Sequence, residues 1–241
     1  MGTEPQLYHL PGFYEPFSAV SHLVGTLIFL FLGWLLVVRA RDNRGGFRYV
    51  AVFAAVVVLQ MLISGLFHMP PRGSPIHRVA ERVDHAAIFV MIAGTFTPAL
   101  GILFGNRLRT RGLALIWCAA LLGATVKTIF FDYLPEWLGL TMYLAMGWLG
   151  ALVVVAAARR YSVKFVQPLL IGGIVYSVGA VLEFFQCAYV VPGVIHAHEV
   201  HHLTVLIGAF WHWVWVWQFA TWEPRGQPVP DSFEEPSPQT A

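Results

Sequence analysis

"PGVIHAHEVHHLTVLIGAFWHW" (residues 192–213) crowds five histidines and one glutamate at the head of an otherwise oily run. His198-Glu199-Val200-His201-His202 spells H-E-x-x-H, which on a soluble helix marks a zinc protease. Here the apolar sequence continues from residue 194 to 222, long enough to cross a hydrocarbon core, which takes about 20 helical residues. The alternation of Trp211, Trp213, Trp215 and Trp217 mimics a strand, but the length of the run decides for a helix, with indoles near an interface. A metal-binding pattern therefore stands at the lip of a membrane span.

The rest of the chain agrees. Of its 241 residues 57% are hydrophobic and 12% charged, against about 25% charged in soluble domains. Seven runs are long enough to span: 18–38, 48–68, 84–104, 112–131, 137–158, 165–191 and 194–222. Lipid offers the backbone no hydrogen-bond partners, so each run is expected to be a helix. The fold class is all-α integral membrane, a seven-transmembrane-helix bundle forming one domain over 18–222. Residues 1–17 form an extramembrane segment without Lys or Arg, so the first span serves as its own insertion signal. The proline-rich polar stretch 223–241 is expected to be a disordered tail. Short connections make neighbouring helices antiparallel. Pro98 is expected to kink the third span, and Pro168 suits the first turn of the sixth. Cys118 and Cys187 sit in apolar runs and read as small packing residues. The net charge of +2 points to no nucleic-acid partner; the partners expected are membrane lipids.

Basic residues orient the bundle. The side carrying the loops after spans one, three and five, with Arg225, holds eleven Lys and Arg; the opposite side holds Arg72, Arg78 and Arg82. Positive charge stays inside, which puts the N-terminus outside and the C-terminus in the cytoplasm.

Helix parity then gathers the polar residues. Ser64 and His68 end the second span, Asp84 starts the third, and His198 and His202 start the seventh. Glu15, Ser21 and His22 enter the first, and Lys127 and Glu183 lie late in the fourth and sixth. All fall in one leaflet. Ionisable groups at such depth cost about 2.5–3.5 kcal/mol each on insertion scales, so they need partners or a wet cavity. His198 and His202 are four apart and share a helical face, the spacing that lets two imidazoles hold one ion. His201 also lies within a turn of His198, and spacing alone does not choose between it and His202. His212, ten residues on, is about 15 Å away along the axis and cannot join them. His68 is the best candidate for a third ligand. Three imidazoles with a fourth position open match catalytic zinc. Asp84 is then placed to act as a general base or to orient an imidazole, and Ser64 to donate a hydrogen bond to a developing oxyanion.

The stretches "SGLFH" (64–68), "RVDHAAIFVMIAGTFTPALG" (82–101), "YLAMGWLG" (143–150), "YSVGAV" (176–181) and "HEVHHLTVLIGAFWH" (198–212) resemble the hemolysin III proteins, the bacterial branch of the progestin and adipoQ receptor family. The similarity runs from Glu15 to Trp222. It implies a seven-helix bundle with zinc held by His68, His198 and His202, selecting His202 over His201, and with Ser64 and Asp84 beside the metal. Kinship with adiponectin receptors and alkaline ceramidases implies hydrolysis of a lipid amide; links to pore formation and membrane-fluidity control imply a cytolysin or a sensor instead. The chain departs from the pattern at His201, where an aromatic residue is commoner, at Glu183, and at Ser21, where threonine is expected. Its orientation by charge is also the reverse of that of adiponectin receptors.

Overall fold

Residues 8–224 are described by the computed structural model, and most of them are helical. The helices are α1 (Pro16–Ala40), α2 (Phe47–Phe67), α3 (Pro75–Pro98), α4 (Asn106–Ile129), α5 (Glu136–Trp148), α6 (Gly150–Arg160), α7 (Val163–Phe184) and α8 (Ala197–Phe219). Only Leu149 separates α5 from α6, so the pair makes one span, Glu136–Arg160. Among the described residues, six spans are long and apolar enough to cross a membrane. The seventh, α8, has the length, but its histidines and tryptophans dilute its hydropathy. Seven antiparallel spans follow, and the protein is a multi-pass membrane bundle. The tail from Arg225 onward and residues 1–7 lie outside the described residues.

The spans pack in sequence order, α1 on α2, α2 on α3 and α3 on α4, with α7 on α8 and α8 returning to α1. The middle of the bundle is α3, much the most enclosed of the spans. Around it lie Val50, Phe53, Val57 and Met61 of α2, Phe89 and Phe96 of α3 itself, and Trp215 and Phe219 of α8. Large apolar side chains such as Phe31, Trp34, Leu115 and Leu152 point outward, as lipid-facing surfaces require. Cys118 and Cys187 are exposed rather than packed in the core, contrary to the sequence reading. The split fifth span is peripheral: Gly139 and Met146 are the buried residues of α5, and Gly150 and Ala157 those of α6.

Glycines set the closest approaches. A Cβ on Gly94 would stand 2.2 Å from Cγ2 of Val56, so α3 meets α2 only because nothing projects there. A Gly94→Ala protein is expected to lose about 1–3 kcal/mol through overpacking, read as a lower melting temperature in detergent. Between α7 and α8 the arrangement is reciprocal. The His212 ring fits over Gly172, where a Cβ would lie 2.4 Å from Cδ2, and the Tyr176 ring fits over Gly208, at 2.8 Å.

Several boundaries differ from expectation. Helix α3 begins at Pro75 with Ser74 as N-cap, its hydroxyl accepting from the His77 amide, so Asp84 lies more than two turns inside the helix rather than at its start. After Pro98 the chain continues as a π-helical turn over Ala99–Leu103, which accommodates the carbonyl that proline cannot serve. Pro168 is in the interior of α7, not its first turn, which is capped by Ser162. The apolar run expected to stay helical to residue 191 leaves the helix at Phe185, and Gln186 adopts φ 51°. Residues 185–196 form a loop closed by a bridge between Val191 and Ile195. The ladder of tryptophans is helical, as length required.

Candidate metal centre

Each imidazole arrives on a different part of the backbone. His68 is the C-cap of α2, with its amide on the Ser64 carbonyl. His198 lies in the first turn of α8, and His202 one turn further along the same face. His68 and His202 are buried, and the ring of His198 is partly so. Their ligand atoms all lie within 4.8 Å of one another, so the group could hold a metal ion. Nε2 of His198 is 3.3 Å from Nε2 of His68 and 3.0 Å from Nε2 of His202. Tetrahedral ligands at about 2.0–2.1 Å from one zinc stand roughly 3.3 Å apart, so the spacing fits.

The outer nitrogens explain why the inner ones converge. Nδ1 of His68 donates to Oε2 of Glu15, whose Oε1 accepts from Arg72 Nε at 2.5 Å. Nδ1 of His198 donates to Oε1 of Glu183 at 2.6 Å. A neutral ring that spends its proton at Nδ1 presents a lone pair at Nε2. Lone pairs aimed at one point repel unless a cation lies between them, and carboxylate–histidine pairs of this kind orient metal ligands. Burial pushes the Glu15 carboxyl up, but the hydrogen bond from His68 and the nearby Arg72 overcome it and hold it at about 2. The donor set, three imidazole nitrogens of which two are backed by carboxylates, suits a borderline-soft divalent ion such as zinc.

His201 turns away. Its Nε2 lies 3.6 Å from Oε2 of Glu183, the other oxygen of the carboxylate that holds His198, and it is not part of the three-histidine group. His22 of α1 backs the group: its ring centroid is 3.9 Å from that of His202, and its Nε2 reaches the His202 carbonyl at 3.4 Å. Asp84 is buried, and its Oδ1 accepts from Gln60 Nε2 at 3.0 Å. Ser64, also buried, lies close to the same carboxyl group. Ser64, His68, Asp84, His198 and His202 all line one cavity of about 750 Å³, which continues between α3, α5 and α7 past Phe96, Leu144, Leu170 and Val205.

Glu199, the acid of the H-E-x-x-H pattern, is otherwise engaged. Oε2 accepts from the His196 amide at 3.0 Å and Oε1 from the Ser18 hydroxyl at 3.1 Å, forming the cap of α8 and tying it to α1. A Glu199→Ala protein should lose about 1 kcal/mol of stability, as lost helix caps do, while keeping its metal content; thermal melts with elemental analysis check both.

The sequence pointed to the three histidines, Asp84 and Ser64, but gave no role to Glu15, Glu183 or Gln60. Carboxylates at helix ends near histidines were the available signal for the first two. Nothing in the spacing marked Gln60.

Comparison with known proteins places this arrangement. The model of the haemolysin-III related family matches residues 13–213. The chain belongs to the haemolysin III family. Within that family it is 32% identical to a hemolysin-3 homolog of Bacillus subtilis (strain 168) over 80% of this chain and 87% of the relative. It is 29% identical to hemolysin-3 of Bacillus cereus, over 80% and 85% of the two chains. A further relative is the human monocyte to macrophage differentiation factor, 27% identical over 66% of this chain and 64% of that one. The family match takes in all three histidines of the group together with Glu15, Ser64, Asp84 and Glu183.

Proposed function

We propose that this haemolysin III protein is a zinc-dependent hydrolase of lipid amide or ester bonds, embedded in a bacterial inner membrane with its N-terminus outside. The supporting observation is that three converging Nε2 atoms, two of them backed by carboxylates, open onto a cavity that also runs past the apolar side chains of Phe96, Leu144, Leu170 and Val205. His68, His198 and His202 would hold the ion, which supplies Lewis acidity toward a carbonyl and toward water. The apolar stretch between Phe96, Leu144, Leu170 and Val205 receives an acyl chain and leaves its carbonyl facing the histidines. Asp84, steadied by Gln60, takes a proton from the attacking water at its free Oδ and returns it to the leaving nitrogen or oxygen. Ser64 Oγ orients that carboxyl group and can donate to the carbonyl oxygen as charge develops there. Burial of all three groups keeps bulk water from competing.

The experiment is elemental analysis of protein purified without chelators, followed by incubation in vesicles with ceramide and with phospholipid and detection of released fatty acid. Zinc at about one ion per chain together with metal-dependent release supports the reading. Bound zinc with no release over a broad lipid panel would instead favour a staple that ties the end of α2 to the start of α8, which the placement of His68 and His198 also permits. Release of vesicle contents independent of Asp84 would favour the cytolysin that the relatives' names describe.

A further inference from the structure

A charge in the same cavity has no part in the hydrolytic machinery. Lys127, near the end of α4, is 94% buried by its 6% exposure, yet its side chain turns inward and lines the cavity. A lysine so close to a helix end ordinarily snorkels outward to the headgroups. This one lies with Nζ 4.6 Å from the centre of the Phe131 ring and 3.2 Å from where a Cβ on Gly139 would stand. No carboxylate comes within ion-pair distance of it among the described residues. Glu136 and Glu81 attract it from further away. The neighbouring cations are differently placed: Arg72 is bonded to Glu15, and Arg82 to Asp132 at 2.5 Å. The absence of a side chain at Gly139 keeps open the space in front of the ammonium group.

An inward ammonium without a direct counter-ion costs free energy that an arriving anion recovers, and a charge-assisted bond to phosphate or carboxylate is the strong kind. Depth narrows the source. The end of α4 and the start of α5 stand at the headgroup level of the leaflet, so an oxyanion held by Lys127 belongs to a lipid whose chains descend into the cavity. His85 connects the two regions, being close enough to feel both Lys127 and His198.

We infer that Lys127 is the anion-recognition residue of this cavity, and that the lipid it admits carries a phosphate or carboxylate headgroup. This rests on reading the cavity as a lipid site but does not require that the lipid be cleaved. The test is binding to zinc-saturated protein in neutral detergent. The probes are a short-chain phosphatidate, the diacylglycerol with the same chains, and inorganic phosphate. Phosphatidate should bind about tenfold tighter than the diacylglycerol, the size of one charge-assisted bond. Lys127→Met should remove that preference while leaving diacylglycerol affinity unchanged, and Lys127→Arg should retain most of it. Gly139→Val, which crowds Nζ from α5 without altering charge, should also weaken phosphatidate, and it decides the matter if Lys127→Met does not fold. Equal affinity for the two lipids in the wild type overturns the inference, as does a preference that survives both Lys127→Met and Gly139→Val. Inorganic phosphate binding as tightly as phosphatidate overturns the lipid source. Because turnover is not read, a protein that hydrolyses nothing can still pass, and a hydrolase can still fail.

Discussion

An His198→Ala protein is expected to purify with almost no bound metal, while the wild type carries about one ion per chain. His198 is the middle member of the group, its Nε2 standing 3.3 Å from one partner and 3.0 Å from the other. Without it, two nitrogens from different helices remain, and a catalytic zinc site ordinarily needs three protein ligands. The same substitution takes away the nearer of the two imidazoles that face Glu183, so the melting temperature should fall and should cease to respond to added zinc or chelator. Glu183→Ala is the graded companion. It leaves all three Nε2 atoms but frees the His198 ring, and outer partners of this kind are worth about 10–100-fold in metal affinity. Metal titrations of the three proteins side by side supply the check. Full metal retention by His198→Ala would refute the site.

Asp84→Asn carries the second large effect. It preserves shape and the Gln60 contact but removes a proton acceptor, so release of fatty acid should drop by about 10²–10⁴-fold, the usual contribution of a positioned acid–base group. Metal content and melting temperature should stay near those of the wild type, because Asp84 is not among the three residues that converge. Turnover unchanged in this variant would remove Asp84 from the chemistry.

The bundle was legible because lipid leaves the backbone one local solution, and an apolar run of sufficient length therefore declares a helix. Parity then brought His68 and His198 to one face without further information. What was misplaced follows from the same reliance on hydropathy. Residues 75–83 are too polar to read as membrane, so hydropathy alone starts the third span at Asp84, although Ser74-Pro75 is a helix-start pair. The run after Phe184 is apolar enough to continue, and only the turn at Gln186 ends it. Side-chain direction was the least visible of all. No periodicity distinguishes a Lys127 that leans outward from one that faces a cavity, and the pairing of Glu183 with His198 depends on how α7 lies against α8.

That lie is governed far from the metal site. With each aromatic ring seated over the other helix's glycine, α7 and α8 can slide past one another only by unseating both Tyr176 and His212. His212 sits ten residues from His202, about 15 Å deeper in the membrane. A shift of a single residue, about 1.5 Å, would pull the Glu183 carboxylate off the His198 ring. The two rings therefore work as a depth gauge, holding the acid opposite its imidazole from a distance at which neither ring could ever touch the ion.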